Sequence, residues 1–307
     1  MTKAERADWL RRVLFHGAVL VGLVFAAYLF LVAASAKNSM AFDVVSYWRL
    51  DLLDPYHGTV GDLGFFPYSP AWALLFAPFA SLPWIVFATG WYALLMAALV
   101  FMGGRSTLVL LAFPPVAIEL YHGNIHLILA AAIVIGMRYP VAWSVVLLGK
   151  LTPGIGLLWF VARREWRSLG IALGATAVIA AVTFVFLPNQ WLTWLNILVE
   201  GAGVPPPWPA LPIPIWLRLP VAAGIVWFGA KRDLRWTVPI AAALAVPALW
   251  PGAFAILAAC LPLSRRSPAG ATGPAGASAA ATAAEATRDY HAPDARQPRG
   301  EPEPAPT

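Results

Sequence analysis

Long apolar runs separated by short polar breaks fill the first 263 residues, and their length and spacing read as membrane-crossing helices. The runs fall at 13–34, 84–103, 106–121, 124–137, 139–152, 153–162, 168–187, 211–230, 236–249 and 251–263. The first has 22 residues, enough to cross about 30 Å of hydrocarbon and too long for a signal-peptide core. Ala34-Ser35-Ala36 mimics a cleavage site, but a retained first helix is expected. Several later runs fall short of the roughly 20 residues of a straight span. Those at 139–152 and 153–162, split by Pro153, read as half-helices or one broken helix. The run at 68–82 carries Pro70, Pro78 and Pro83 and reads as a re-entrant or interfacial helix. The pattern predicts an all-α polytopic membrane protein with eight to eleven crossings.

The charges between the runs give an orientation. With the N-terminus in the cytoplasm, Lys3, Arg6, Arg11, Arg12, Arg105, Arg138, Arg163, Arg164, Arg167, Lys231, Arg232, Arg235, Arg265 and Arg266 fall inside. Lys37, Arg49, Lys150 and Arg218 fall outside. Fourteen against four is a strong positive-inside bias. It predicts cytoplasmic termini, a multi-pass protein of the cell membrane, and two outer loops at 35–67 and 188–210. The transmembrane domain is expected to span residues 1–263. From 264 to 307 the chain turns to Ala, Gly, Pro and Thr with scattered charge, which predicts a disordered cytoplasmic tail.

Composition narrows the classes further. Hydrophobic residues make up 60% of the chain and charged ones only 12%, a membrane composition whose main partner is the lipid bilayer. Basic residues are dispersed among short loops and form no stripe, which argues against nucleic acid despite the net charge of +6. The single cysteine, Cys260, excludes an internal disulfide framework and cysteine-based metal sites. No P-loop, dinucleotide glycine fingerprint, Ser-His-Asp signature or zinc motif occurs, so no cofactor is expected.

Candidate chemistry concentrates in the first outer loop. It holds Asp43, Tyr47, Arg49, Asp51, Asp54, His57 and Asp62, and it leads into Phe66-Pro67-Tyr68-Ser69-Pro70. On the same predicted side, Glu119, His122, Asn124 and His126 surround the turn between two runs, and Lys150 lies near the outer end of another. Ionisable residues near hydrocarbon face one another or a water-filled cavity, so this convergence predicts an extracytoplasmic site. Each residue also has a plainer role. Asp43 would serve as N-cap of a helix beginning at Val44; Asp51, Asp54 and Asp62 read as solvated loop residues, and Lys150 as a snorkelling cation. His122 and His126 have a metal-ligand spacing only if one helix carries both, and Gly123 argues for a turn there instead, so no metal is assigned. Most of the tryptophans read as interfacial anchors, with Trp191, Trp194 and Trp208 free to stack on a sugar or lipid.

Several of these segments, in order, resemble glycosyltransferase family 87, the membrane-embedded mannosyltransferases of the GT-C superfamily best known from actinobacteria. They are Asp43 with Tyr47, Pro55-Tyr56, and Phe66-Pro67-Tyr68-Ser69-Pro70-Ala71 followed by Leu74-Leu75-Phe76-Ala77-Pro78-Phe79. Then come Gly123-Asn124-Ile125-His126-Leu127, Gly149-Lys150-Leu151-Thr152-Pro153 and Pro247-Ala248-Leu249-Trp250. Tyr68-Ser69-Pro70 stands where such proteins often read Tyr-Pro-Pro, and Gly123-Asn124-Ile125-His126 where they often read Gly-Gln-x-Asn. The resemblance implies a GT-C-like bundle that transfers mannose from a polyprenyl-phosphate sugar donor to an envelope glycolipid or polysaccharide acceptor. It implies that Asp43 is the general base. Lys150 and Arg49 are then the expected contacts of the donor phosphate, and Tyr47, His57, Tyr68, Asn124 and His126 the expected donor or acceptor ligands. Two rivals share the polar cluster: a carrier that flips a lipid-linked sugar, and an assembly partner that keeps the fold without activity.

Overall fold

The structure, a computed structural model, describes residues 1–37, 39–59, 61–201 and 210–265. The expected tail, beyond its first two residues, and Trp208 lie outside the described residues. Within them all regular structure is helical. The α-helices are α1 (Lys3–Tyr28), α2 (Ala34–Lys37), α3 (Phe42–Trp48), α4 (Pro70–Phe76), α5 (Trp84–Gly103), α6 (Thr107–Leu111), α7 (Pro114–His122) and α8 (His126–Gly136). They continue with α9 (Trp143–Gly149), α10 (Leu158–Ala162), α11 (Trp166–Phe186), α12 (Pro188–Gly201), α13 (Ile215–Lys231), α14 (Thr237–Leu244) and α15 (Cys260–Ser264). Long 3-10 segments at Thr152–Leu157 and Pro251–Ala259 complete the bundle.

A capping box starts α1: Thr2 Oγ1 accepts the Glu5 amide at 3.2 Å while Glu5 accepts the Thr2 amide at 2.8 Å. A π-helical turn at Leu29–Ala33 carries the same helix into α2, past the Ala-Ser-Ala sequence without a break. Its buried positions, Gly22, Ala26 and Ala33, are small, and they let it lie close against α7. Most of the rest of its apolar surface is exposed, as is most of that of α11, which suits a lipid-facing position.

Among the described residues, three helical runs are long and apolar enough to cross a membrane on their own: Lys3–Ala33, Trp84–Leu111 and Trp166–Phe186. A fourth arises if α7 and α8, bent by 116° across their junction, count as one broken span. Shorter apolar helices supply the remainder of the bundle. The observed breaks correct two boundaries read from sequence. Residues 84–111 run continuously through a 3-10 turn at Gly104–Ser106, so the gap expected at 103–106 moves to Ala112–Phe113. Pro114 and Pro115 stop the helix there, because Phe113 is driven into an extended conformation before proline. The runs 106–121 and 124–137 are likewise not two straight crossings but the short, sharply bent pair α7–α8. The outer loop expected at 188–210 begins with a helix, α12, whose Trp191 and Trp194 turn inward while Leu192, Thr193, Asn196 and Glu200 face out. Its polar residues hid an amphipathic period.

Two apolar clusters flank α8. Its Leu127, Leu129 and Ala130 join an aromatic cluster built from α3, α4 and α5, and Ile133 joins one built from α9, α10, α13 and α14. Pro251–Ala259 packs beside both α7 and α8 and closes the interior. Buried over most of its surface, α8 gives the residues at its N-terminus a fixed frame.

At the other end of α10 and α13, Arg163 bonds Glu165 at 2.6 Å and Asp233 at 3.0 Å, and Lys231 donates to the Ala162 carbonyl at 3.2 Å. The two basic turns therefore sit together. Arg218, inside α13, is buried and donates to the carbonyls of Ile213, Leu244, Val246 and Pro247, which ties the end of α14 to the chain leading to Trp250.

Candidate active site

Gly123 organises the polar centre. It ends α7 in the left-handed region, at φ 73°, and turns the chain so that α8 starts three residues later. A side chain there would also strike Val44 of α3, so the glycine sets how closely α3 approaches the turn. Trp91 of α5 donates to the Gly123 carbonyl at 2.7 Å, and the Ala41 amide, before α3, donates to Tyr121 O at 2.9 Å. Three elements are thereby locked around Asn124.

The turn folds Glu119 back over the start of α8. One carboxylate oxygen accepts the His126 amide at 2.5 Å, and the other lies 2.9 Å from His126 Nδ1. The far ring nitrogen, Nε2, is 2.8 Å from Lys150 Nζ. Glu119 and His126 are fully buried, whereas Lys150 keeps a partly exposed edge. Lys150 reaches the site because α9 ends at Gly149 and Lys150 itself is extended, at φ −146° and ψ 114°, before the 3-10 segment at Thr152–Leu157. Its ammonium also stands 6.0 Å from the Tyr68 ring centroid.

Asp43 enters from α3. The helix begins at Phe42, with Ala41 as N-cap, so Asp43 lies in the first turn and is not the N-cap that the sequence suggested. Its carboxyl faces the Asn124 amide and lies near enough to Glu119 and Lys150 to feel both charges. Burial is the largest influence and raises its pKa to about 7; the Asn124 hydrogen bond opposes this, Glu119 adds to it and Lys150 opposes it. A carboxyl titrating there changes its charge in the neutral range.

Tyr47 and Tyr68 support this centre from inside the protein. Their hydroxyls are 3.0 Å apart, and Tyr68 donates to Asn124 Oδ1 at 3.4 Å. Asn124 Oδ1 also accepts the Ile125 amide at 2.8 Å. Tyr47 is wholly buried and stacks on Phe76 with centroids 4.8 Å apart, so its part is to hold its neighbours. Trp250 packs against His126 at 6.1 Å and His122 at 5.1 Å.

Six of the eight residues singled out from the sequence thus converge: Asp43, Tyr47, Tyr68, Asn124, His126 and Lys150. Arg49 and His57 stand apart. Arg49 is exposed with its guanidinium 5.9 Å from the Trp48 ring centroid, and His57 is exposed with Nδ1 2.7 Å from the Asp54 carbonyl. Glu119 is the member whose central place the sequence left open. Its signal was a carboxylate in the otherwise apolar stretch Pro114–Leu120, where ionisable groups seldom occur without a partner. His122 and His126 lie on different helices, and among the described residues no three His, Cys, Asp or Glu side chains group as a metal site.

Beside this centre runs an apolar groove of about 780 Å³, lined by Trp72, Leu75, Phe76, Phe87, Trp91 and Leu148 among others. Phe76 stacks on Tyr47 and Trp91 holds Gly123, so groove and polar centre share a wall. A volume of this order accommodates an extended hydrocarbon segment.

The fold defines the class: an all-α polytopic membrane protein with a cluster of buried ionisable groups around the α7–α8 turn. Residues 65–259, more than half of the chain, match glycosyltransferase family 87, and the chain belongs to that family of membrane glycosyltransferases. Comparison with curated proteins and with solved structures returns no match. The matched segment holds Tyr68, Glu119, Asn124, His126 and Lys150 but begins after Asp43, whose assignment therefore rests on its position beside Asn124.

Proposed function

We propose that the protein transfers mannose from a polyprenyl-phosphate donor to an envelope glycolipid or polysaccharide acceptor on the extracytoplasmic face. The observation that carries this reading is the gathering of Asp43 and Lys150 around Asn124, with an apolar groove on the other side of the wall formed by Phe76 and Trp91. The lipid chain of the donor occupies the groove, and its phosphate meets Lys150.

Asp43 accepts the proton of the acceptor hydroxyl. The hydroxyl oxygen bonds to the anomeric carbon as the bond from that carbon to the phosphate oxygen breaks. Inversion follows from this single displacement. Negative charge leaves the carboxylate and appears on the departing phosphate, where Lys150 stabilises it, so the net charge of the site does not change during the step. A base titrating near neutrality is matched to this task, since it is ionised in part yet still holds the proton it receives.

The test is purified protein incubated with labelled polyprenyl-phosphate-mannose and a membrane lipid extract. Label in a new glycolipid or polysaccharide is the expected result. Label moved across a vesicle wall without transfer identifies a carrier, and neither outcome identifies an assembly partner; each overturns the enzyme reading.

A further inference from the structure

We propose that Glu119 is a positioning residue: acting through His126, it holds the Lys150 ammonium beside the groove to receive the phosphate of a lipid-linked donor. This rests on the reading of Lys150 as the phosphate contact.

The argument is one of donors and acceptors. A lysine ammonium has only donors, so His126 Nε2, 2.8 Å from Lys150 Nζ, must present a lone pair. A neutral imidazole with an accepting Nε2 carries its proton on Nδ1. That proton points at a Glu119 oxygen 2.9 Å away, an acceptor. The carboxylate therefore selects the tautomer, and the tautomer selects where the ammonium sits. One of the three Lys150 protons is used by the ring, which leaves two for a ligand. No other hydrogen-bond partner of Lys150 Nζ occurs among the described residues.

Glu119 has a second role that must be separated from this one. Its other oxygen accepts the His126 amide at the start of α8, as a capping group does. Glu119→Gln divides the two. The amide oxygen preserves the cap and the shape, whereas its NH2 group offers a donor to Nδ1. His126 then turns to the Nε2–H tautomer and meets Lys150 donor to donor.

The experiment measures binding of polyprenyl phosphate to detergent-solubilised full-length protein by quenching of tryptophan fluorescence. Lys150→Met is expected to weaken binding about tenfold or more, Glu119→Gln several-fold, and the double variant no further than Lys150→Met alone. In parallel, 15N-histidine spectra of the wild-type protein, with His126 assigned by its loss in His126→Gln, are expected to show protonated Nδ1 and unprotonated Nε2. Wild-type affinity in Lys150→Met defeats the phosphate reading on which the proposal stands. Wild-type affinity in Glu119→Gln, with Lys150→Met weakened, defeats this proposal alone, as does an Nε2–H tautomer in the wild-type spectrum. The spectrum decides the matter if Glu119→Gln does not fold.

Discussion

Asp43 and Asp62 stand on one short polar segment, yet their surroundings push them in opposite directions. Asp43 lies in the first turn of α3, enclosed against the α7–α8 turn, and burial lifts its pKa to about 7. Asp62 sits in the exposed part of the same segment. The Thr59 amide and hydroxyl, each 2.8 Å from Asp62 Oδ2, hold its pKa below the ordinary carboxylate range. The turn around Asp62 is secured by its own local bonds, whereas α3 is secured by the bundle. Identical side chains therefore acquire different chemistry from what packs against them: one is held ready to take a proton, the other is committed to staying charged.

The largest expected effect breaks that comparison outright. Asp43→Asn should lower transfer by about three orders of magnitude or more, the scale of losing a general base together with its electrostatic role, while Asp62→Asn leaves the rate within about twofold. Labelled-sugar transfer on matched amounts of folded protein is the measurement. Equal activity in the two variants removes Asp43 from the mechanism. Arg49→Ala and His57→Ala belong with the Asp62 variant, because both side chains face solvent away from the centre.

Two glycines sharpen the contrast structurally. Gly123 and Gly64 both have positive φ, at 73° and 96°. A Cβ on Gly123 collides with Val44, whereas one on Gly64 meets no atom within 4 Å. Alanine at Gly64 then adds only backbone strain of roughly 1–2 kcal/mol. Alanine at Gly123 adds the same strain and forces α3 away from Asn124, so a loss of roughly 3 kcal/mol or more is expected. Thermal denaturation in one detergent, alongside transfer assays, distinguishes them; an equal drop for the two shows that α3 is not seated by the turn.

A third expectation concerns pH. As base, Asp43 must be ionised, so kcat/KM should fall about tenfold per unit well below pH 7 and level off above it. Stability has the opposite sign. The folded pKa of Asp43 lies above its unfolded value, so its contribution is fully present below about pH 4 and is lost as pH rises through about 7. The slope approaches about 1.4 kcal/mol per pH unit at most. Asp43→Asn should flatten both profiles. A wild-type rate that does not change between about pH 5.5 and 8.5 contradicts the assignment.

How much of this was legible beforehand follows from which forces are local. The spans of α5 and α11 are visible as unbroken apolar runs, and the break at Lys150 is announced by Gly149 and Pro153. That Glu119 reaches back to His126 is not, because it depends on the 116° turn between two helices, which Gly123 permits but does not direct. The seating of α3 is equally hidden. Nothing in Asp43, Arg49 and His57 as a string tells which side chain faces the bundle. Trp91, Val44 and the Tyr47–Phe76 stack decide it, from positions spread between residues 44 and 91. The extension of α5 into α6 is hidden for a related reason: Arg105 looks like a loop charge, whereas the helix carries it through on a 3-10 turn.

The smallest effect belongs to Asp62, and it tests the other side of the comparison. Its folded pKa is depressed, first by the Thr59 amide and then by the Thr59 hydroxyl. The contribution is therefore present above the unfolded carboxylate pKa and disappears as pH falls through the folded one. Because the group is fully solvated, screening keeps the gain small. Wild-type protein should lose a little thermal stability as the pH drops below about 4, and Asp62→Asn should lack that step while matching wild type in transfer. A pH step that persists in the variant assigns the titration to another carboxylate. A transfer defect in it brings the exposed loop into the site and erases the division between the two aspartates.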